Sequence, residues 1–178
     1  MPDFSHIAHR LRLVQGDITQ VPAEAIVNAA NRTLLGGGGV DGAIHRAAGR
    51  GLYAECLELG GCEPGDAKLT SGHNLQAKHI IHTVGPIWSG GRADEDAILA
   101  SCYRQSLRLA RDQGVRTLAF PSISTGAYRF PLDRAARVAV REILTFLETS
   151  ALPETVTLVC FDPGTLAAYQ RALESLRG

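Results

Sequence analysis

The sequence predicts an α/β domain whose mainly parallel sheet is covered by helices on both faces. Three observations carry the prediction. Short strand-like runs alternate with longer segments of helical period along the chain, the order that builds a parallel sheet with helical crossovers. Runs such as Ala25-Ile26-Val27 are apolar without interruption, as a strand buried on both faces must be. The 178 residues, of ordinary globular composition, suffice for a substantial core, and a single domain over 1–178 is expected.

Taken in order, Arg10 to Gln15 nearly alternates and reads as a half-buried strand, broken by Gly16-Asp17-Ile18-Thr19. Ala25 to Asn28 is a short buried strand. Asp41 to Ala48 reads as a helix closed by Gly49, and Gly51 to Leu59 continues as helix up to Gly60-Gly61. Ala67 to Ser71 and His79 to Val84 are strands, ended by Gly72-His73-Asn74 and Gly85-Pro86. Ser89-Gly90-Gly91-Arg92 reads as an exposed loop. Asp94 to Gln113 is an amphipathic helix with Ile98, Leu99, Cys102, Leu107 and Leu109 apolar and Gly114 just past its end. Thr117 to Phe120 is a strand. Leu132 to Glu148 is a helix with Pro131 suited to its first turn. Thr155 to Phe161 is a strong strand, after which Asp162-Pro163-Gly164 opens a last helix, Thr165 to Leu176.

Composition narrows the function classes. Eighteen basic and eighteen acidic residues give a formal net charge of zero, which argues against a strongly basic nucleic-acid surface. The arginines are dispersed, Arg10 and Arg12 included, in the pattern of a solvated surface. The four cysteines at 56, 62, 102 and 160 form no Cys-x-x-Cys pair. Buried free thiols in a reducing compartment are expected, with neither a disulfide framework nor a zinc cage. The amino terminus lacks the charged start and apolar core of a signal peptide, and no apolar run reaches the ~18–20 residues of a membrane span. The expected location is cytoplasmic, with no membrane partner.

The most unusual stretch is Asn28-Ala29-Ala30-Asn31 followed by Gly36-Gly37-Gly38-Gly39-Val40-Asp41. Four successive glycines before a helix cost conformational entropy and gain close backbone approach to a ligand. A helix N-terminus presents unpaired N–H groups and the positive end of the macrodipole, so phosphate suits it. The dinucleotide pattern Gly37-x-Gly39-x-x-Gly42 is a weak match, because four glycines in a row make it easy, and Glu55 and Glu58, near the required acidic spacing, lie in helical sequence. No Gly-Lys-Ser/Thr follows, so the P-loop fails. An ordinary flexible surface loop is the bland alternative.

Ligands of such sheets sit outside the carboxyl ends of the strands. Those ends are Asp17, Asn28 to Asn31, Ser122 to Tyr128, and Phe161-Asp162. Ser122-Ile123-Ser124-Thr125-Gly126 is a second hydroxyl-rich loop; it either holds phosphate oxygens or is a capped strand-to-helix turn. Asp41 is a helix cap or a water-orienting carboxylate, and its place at a helix N-terminus should lower its pKa. Asn28 and Asn31 suit sugar hydroxyls or turn chemistry. Asp17 is a turn cap or an acceptor for an exocyclic amine. Phe161 is core or a base-stacking residue, and Tyr128 packs the loop or lids a ribose. His45, one turn beyond Asp41, could contact it. His79 and His82 point to opposite faces of a strand, which argues against a shared metal.

Together these residues resemble the macrodomain family, and most closely its MacroD-type ADP-ribosylhydrolase branch. The matching signatures are Gly16-Asp17-Ile18-Thr19, Ala25 to Asn31, Gly36 to His45, His82-Thr83-Val84-Gly85-Pro86-Ile87-Trp88 and Pro121 to Gly126. The resemblance implies a three-layer α/β/α domain with a mixed, mainly parallel sheet that binds ADP-ribose. It implies Asp17 and the Ile18 backbone at the adenine amine, and Phe161 on the adenine face. It implies two diphosphate clamps, Gly38-Gly39-Val40 and Ser124-Thr125-Gly126-Ala127-Tyr128, and Asn28 among the binding residues. Asn31 and Asp41 match the distal ribose, with Asp41 orienting the attacking water and Tyr128 beside that ribose. The implied reaction hydrolyses the ester between ADP-ribose and an Asp or Glu side chain, and O-acetyl-ADP-ribose, with no metal, cofactor or covalent intermediate. A non-catalytic ADP-ribose reader is the alternative; nucleic acid is not expected as the main ligand, although ADP-ribosylated nucleic-acid ends fit. Arg129 stands where many members of this branch carry glycine.

Overall fold

In the computed structural model, which describes residues 2–177, six strands form one sheet. They are β1 (Leu11–Gln15), β2 (Ala25–Ala30), β3 (Ala67–Ser71), β4 (His79–Val84), β5 (Thr117–Pro121) and β6 (Thr155–Cys160). The helices are α1 (Gly39–Ala48), α2 (Arg50–Leu59), α3 (Glu95–Asp112), α4 (Leu132–Thr149) and α5 (Pro163–Arg177). The sheet order is β1-β6-β5-β2-β4-β3, with every neighbouring pair parallel except β3–β4. The mixed, mainly parallel sheet is thus as expected, with its one antiparallel strand at an edge.

Strand side chains alternate between two cores. Val27, Ile81, Leu118 and Phe120 pack with Leu99, Leu107, Ile143 and Tyr169 of α3, α4 and α5. Their chain neighbours Ile26, Ile80 and Ala119 pack with Ile44, Leu52 and Cys56 of α1 and α2. The period of two along each strand therefore produces three layers, with apolar side chains on both faces of the sheet. Asn28 and His82 follow Ile26 and Ile80 on the α1–α2 face.

Element boundaries move slightly from those expected. The second strand runs two residues further than expected, to Ala30, carrying Ala29 and Ala30 into the sheet. The last helix starts at Pro163, because Asp162 Oδ1 accepts from Thr165 N at 2.8 Å and proline is tolerated in a first turn.

Two features open the sheet at its carboxyl edge. β2 and β5 pair only at Ala25–Leu118 and Ile26–Ala119. Beyond them β2 stays with β4 to Ala30, while β5 stays with β6 to Pro121, which has no N–H to offer a ladder. The two central strands part, and the loops that follow them stand on either side of the gap.

Arg10 departs from the solvated-surface expectation. Its guanidinium donates to the carbonyl oxygens of Glu154, Leu147, Ser150, Ala151 and Pro153 at 2.6–3.1 Å, the last three sharing Nη2. It thereby ties the end of α4 to the entry of β6. All four cysteines are free and buried. Among the described residues no helix is long and apolar enough to cross a membrane.

Candidate active site

The loop after β2 begins with Asn31. Its Oδ1 accepts from Thr33 N and Thr33 Oγ1, and its Nδ2 donates to Gly36 O at 2.9 Å. The side chain thus closes the loop that delivers the glycines. α1 then starts with Gly38 as an N-cap lacking any side-chain cap, and its first intrahelical bond runs from Gly42 N to Gly38 O. The N–H groups of Gly39, Val40 and Asp41 are left without acceptors among the described residues, which is the anion-binding end of a helix. Gly42 has to be glycine: a Cβ there would meet Gly37 O at 2.4 Å.

Asp41 lies in the first turn of α1 and is buried. Its Oδ1 accepts from Asn28 Nδ2 at 2.9 Å and lies 3.5 Å from His45 Nε2. A Cβ on Gly37 would sit 3.0 Å from Asp41 Oδ2 and 3.3 Å from Asn31 Nδ2. Asn31 and Asp41 therefore face one another across Gly37, ten residues apart in sequence. Burial raises the Asp41 carboxyl above its usual range, against the lowering by Asn28 and His45. This corrects the expectation drawn from the helix terminus: desolvation outweighs the local positive potential, and the carboxylate is a better proton acceptor than its position alone suggested.

Behind Asp41 lies a buried polar chain that sequence reasoning did not assemble. Asn28 pairs in register with His82 on the neighbouring strand, and its Nδ2 reaches His82 Nδ1 at 3.1 Å. The other ring nitrogen lies 2.9 Å from Thr70 Oγ1 and 4.0 Å from Cys56 Sγ. Burial, helped by the nearby His45, pushes the His82 pKa down to about 3, so the ring is neutral at physiological pH. Asn28 is fully buried and carries no exposed face toward the cleft. The signal available in the sequence was the parallel placement of two polar residues in apolar strands.

The opposite wall is the loop after β5. Ser124 and Arg129 adopt positive φ of 67° and 61°, and Phe130 N donates to Ser124 O at 3.0 Å. The N–H groups of Thr125, Gly126, Ala127 and Tyr128 find no acceptor among the described residues and form a nest-like edge. The left-handed conformation at Arg129 is one that glycine adopts freely and an L side chain adopts rarely. Trp88 N donates to Tyr128 O at 2.8 Å, tying the loop after β4 to this wall. Glu95 sets that β4 loop: its carboxylate accepts from Ser89 N, Gly91 N and Ala93 N, and these bonds hold its pKa down to about 2.

The far end of the cleft lies beyond β1 and β6, joined by Gly16 N to Cys160 O at 2.9 Å. Asp17 is exposed and uses Oδ1 on Thr19 N and Oγ1. Ile18 is buried beside it. Phe161 is 84% exposed, so it is not a core residue. An exposed aromatic at one end, two rows of free N–H groups along the middle and a desolvated carboxylate at the other end describe a cleft for an elongated anionic ligand. Among the described residues no group of three or more His, Cys, Asp or Glu side chains is placed to hold a metal.

Comparison with known proteins finds relatives and solved neighbours along most of the chain. A family model described as Macro domain matches residues 27–139. A Macro domain-containing protein of Methanosarcina mazei is 58% identical over 167 residues, covering 94% of this chain and 89% of the relative. A protein of Pantoea vagans called O-acetyl-ADP-ribose deacetylase 1 is 51% identical over 168 residues, covering 92% and 98%. A variant of the Oceanobacillus iheyensis macrodomain, solved with ADPR, superposes with a TM-score of 0.90 at 42% identity, covering 93% of this chain and 92% of that one.

Proposed function

The chain belongs to the Macro domain family, and from that premise we propose that it binds ADP-ribose and hydrolyses its esters, in the manner of the MacroD-type branch. The observation that carries the reading is the buried Asp41 carboxylate facing Asn31 across Gly37, at the mouth of a helix N-terminus. The two N–H rows match the two phosphates of a diphosphate, Asp17 with Ile18 and exposed Phe161 match an adenine, and Tyr128 matches the distal ribose. The solved relative with ADPR and the relative called a deacetylase support the ligand and the reaction class.

The chemistry follows from the site. Asp41, with Asn31 beside it, orients a water toward the anomeric carbon of the distal ribose. A bond forms from the water oxygen to that carbon as the carbon–oxygen bond to the acceptor breaks. The Asp or Glu side chain leaves as a carboxylate and needs no proton. The water's proton passes to Asp41 or to an adjacent substrate phosphate oxygen. Binding ADP-ribose across both N–H rows fixes the ribose for this attack, so positioning supplies much of the rate. Where the acetate of O-acetyl-ADP-ribose is esterified to a hydroxyl of the same ribose, the water instead adds to the acetyl carbonyl carbon, and the bond from that carbon to the ribose oxygen breaks. The ribose oxygen takes one proton of the water, the other passes to Asp41 or a phosphate oxygen, and acetate leaves. Buried free thiols support a reducing, cytoplasmic setting.

The test is release of ADP-ribose from an automodified acidic acceptor by wild type, Asn31→Ala and Asp41→Ala, with calorimetry of free ADP-ribose alongside. A fall of about 100-fold or more in Asp41→Ala with binding retained is expected. Full activity of Asp41→Ala removes the catalytic assignment. Tight binding by wild type with no release at all makes the protein a reader.

A further inference from the structure

We propose that His82 is a positioning residue for Asp41: through Asn28 it holds the carboxylate in one orientation, with Oδ1 occupied and Oδ2 turned toward Gly37 and Asn31. This rests on the reading of Asp41 as the water-orienting group.

The argument is one of hydrogen-bond direction. A primary amide can face two ways with almost the same shape, so its partners decide which end points where. One atom of the Asn28 amide touches both Asp41 Oδ1 at 2.9 Å and His82 Nδ1 at 3.1 Å. An ionised carboxylate only accepts, so that atom is the NH2 group, and one hydrogen goes to Asp41. The second goes to His82, whose Nδ1 must then be the unprotonated nitrogen. The ring proton sits on Nε2 and points at Thr70 Oγ1, 2.9 Å away. Thr70 can accept it because its own hydroxyl hydrogen goes to Ser71 O at 3.1 Å. The direction of the chain is therefore set by a backbone carbonyl of β3 and runs through Thr70, His82 and Asn28 to Asp41.

Every member is buried: Asn28 and His82 show no exposure, Thr70 2% and Asp41 5%. None of the three supporting residues needs to touch the ligand. Loss of the acceptor at His82 Nδ1 would leave an amide hydrogen buried without a partner and free the amide to rotate, which costs free energy and orientation together. The neutrality imposed on His82 by burial fits the same direction, since an imidazolium would turn two N–H donors against each other at Nδ1.

Two measurements on the whole protein test this. Nitrogen-15 NMR of the imidazole should show His82 as the neutral Nε2–H form at neutral pH; an Nδ1–H form or an imidazolium overturns the proposal. Thr70→Val removes the acceptor at nearly constant volume. It should shift His82 toward the Nδ1–H form and lower kcat about ten-fold, with the ADP-ribose Kd within about two-fold; Thr70→Ser should restore both. If the valine variant fails to fold, His82→Phe is expected to give the same split between kcat and Kd, and His82→Asn, whose Oδ1 can accept in place of Nδ1, to recover most of it. A parallel loss of kcat and ADP-ribose affinity, or a shifted tautomer with unchanged kcat, overturns the role. Asp41→Ala assayed in parallel separates the two readings: full activity there removes the catalytic assignment, whereas loss there with an unaffected Thr70→Val removes the role of His82 alone.

Discussion

Asn28 donates from Nδ2 to Asp41 Oδ1 at 2.9 Å, and this is the bond that opposes desolvation of the carboxylate most directly. Burial raises the Asp41 pKa; Asn28 first and His45 second pull it back. With the ionised carboxylate as the active form, activity is present above that pKa and falls as pH drops through it. Removing Asn28 removes a stabiliser of the charged form, so the acid limb of the kcat profile in Asn28→Ala should move to higher pH. At neutral pH a loss of about ten-fold is expected, the scale of one hydrogen bond to a charged group. The check is a kcat–pH profile of the two proteins; an unmoved acid limb rules out Asn28 as the tuning group.

A charge placed at the N-terminus of α1, the proposed phosphate site, should weaken binding strongly while sparing the fold. A Cβ on Gly38 meets no heavy atom within 4 Å, and the residue has an ordinary extended φ of −91°. Gly38→Glu should therefore unfold at nearly the wild-type temperature yet bind ADP-ribose at least about 100-fold more weakly, through bulk and like charge at the diphosphate. Calorimetry with an unchanged Kd would remove the α1 N-terminus from the binding site.

The architecture was legible in the sequence because each layer leaves a periodic trace. Ile26 and Val27, or Ile80 and Ile81, are adjacent apolar residues that enter opposite cores, and such pairs are how a strand buried on both faces reads. The brackets of the glycine loop, Asn31 and Asp41, were legible as unusual residues at a strand end. The partners Asn28–His82 and His82–Thr70 were not, since pairing between distant strands depends on register, which no single run encodes. The five carbonyl acceptors of Arg10 were hidden for a similar reason: four of them belong to loop backbone 140 or more residues away. The sign of the Asp41 shift was misjudged because desolvation depends on what α1 packs against.

His82 should make the protein sensitive to acid. The native pKa is about 3 and the ordinary value 6.5. Below pH 6.5 the unfolded chain binds a proton that the native state refuses, so stability falls as pH drops from about 6.5 toward 3. The expected slope from this one residue is up to ~1.4 kcal/mol per pH unit. Urea unfolding at several pH values should show a shallower decline in His82→Asn than in wild type. Equal slopes would mean that the ring is protonated in the folded protein.

Arg10 predicts a stability effect without a functional one. Truncation to alanine leaves the carbonyls of Leu147, Ser150 and Pro153 without their donor, and a cost of about 2–3 kcal/mol follows from lost charge-assisted bonds. Arg10→Lys should recover less than half, because a single ammonium cannot reproduce the planar fork. ADP-ribose affinity should not change, since Arg10 precedes β1 and the cleft lies beyond the opposite end of that strand. Denaturant melts and calorimetry on the same samples separate the two quantities.

Phe161 offers the cleanest separation of binding from folding. A phenylalanine 84% exposed contributes little to any core, so its side chain is free for a ligand at the end of β6. Base stacking on an aromatic ring is worth about 1–3 kcal/mol, and Phe161→Ala should weaken ADP-ribose by about ten-fold or more. Ribose 5-phosphate, which has no base, should bind the two proteins equally, and thermal unfolding should coincide. An equal loss for both ligands would place Phe161 in the shape of the cleft; no loss for either would move adenine away from the β6 end and onto another wall, leaving Asp17 without its assigned partner.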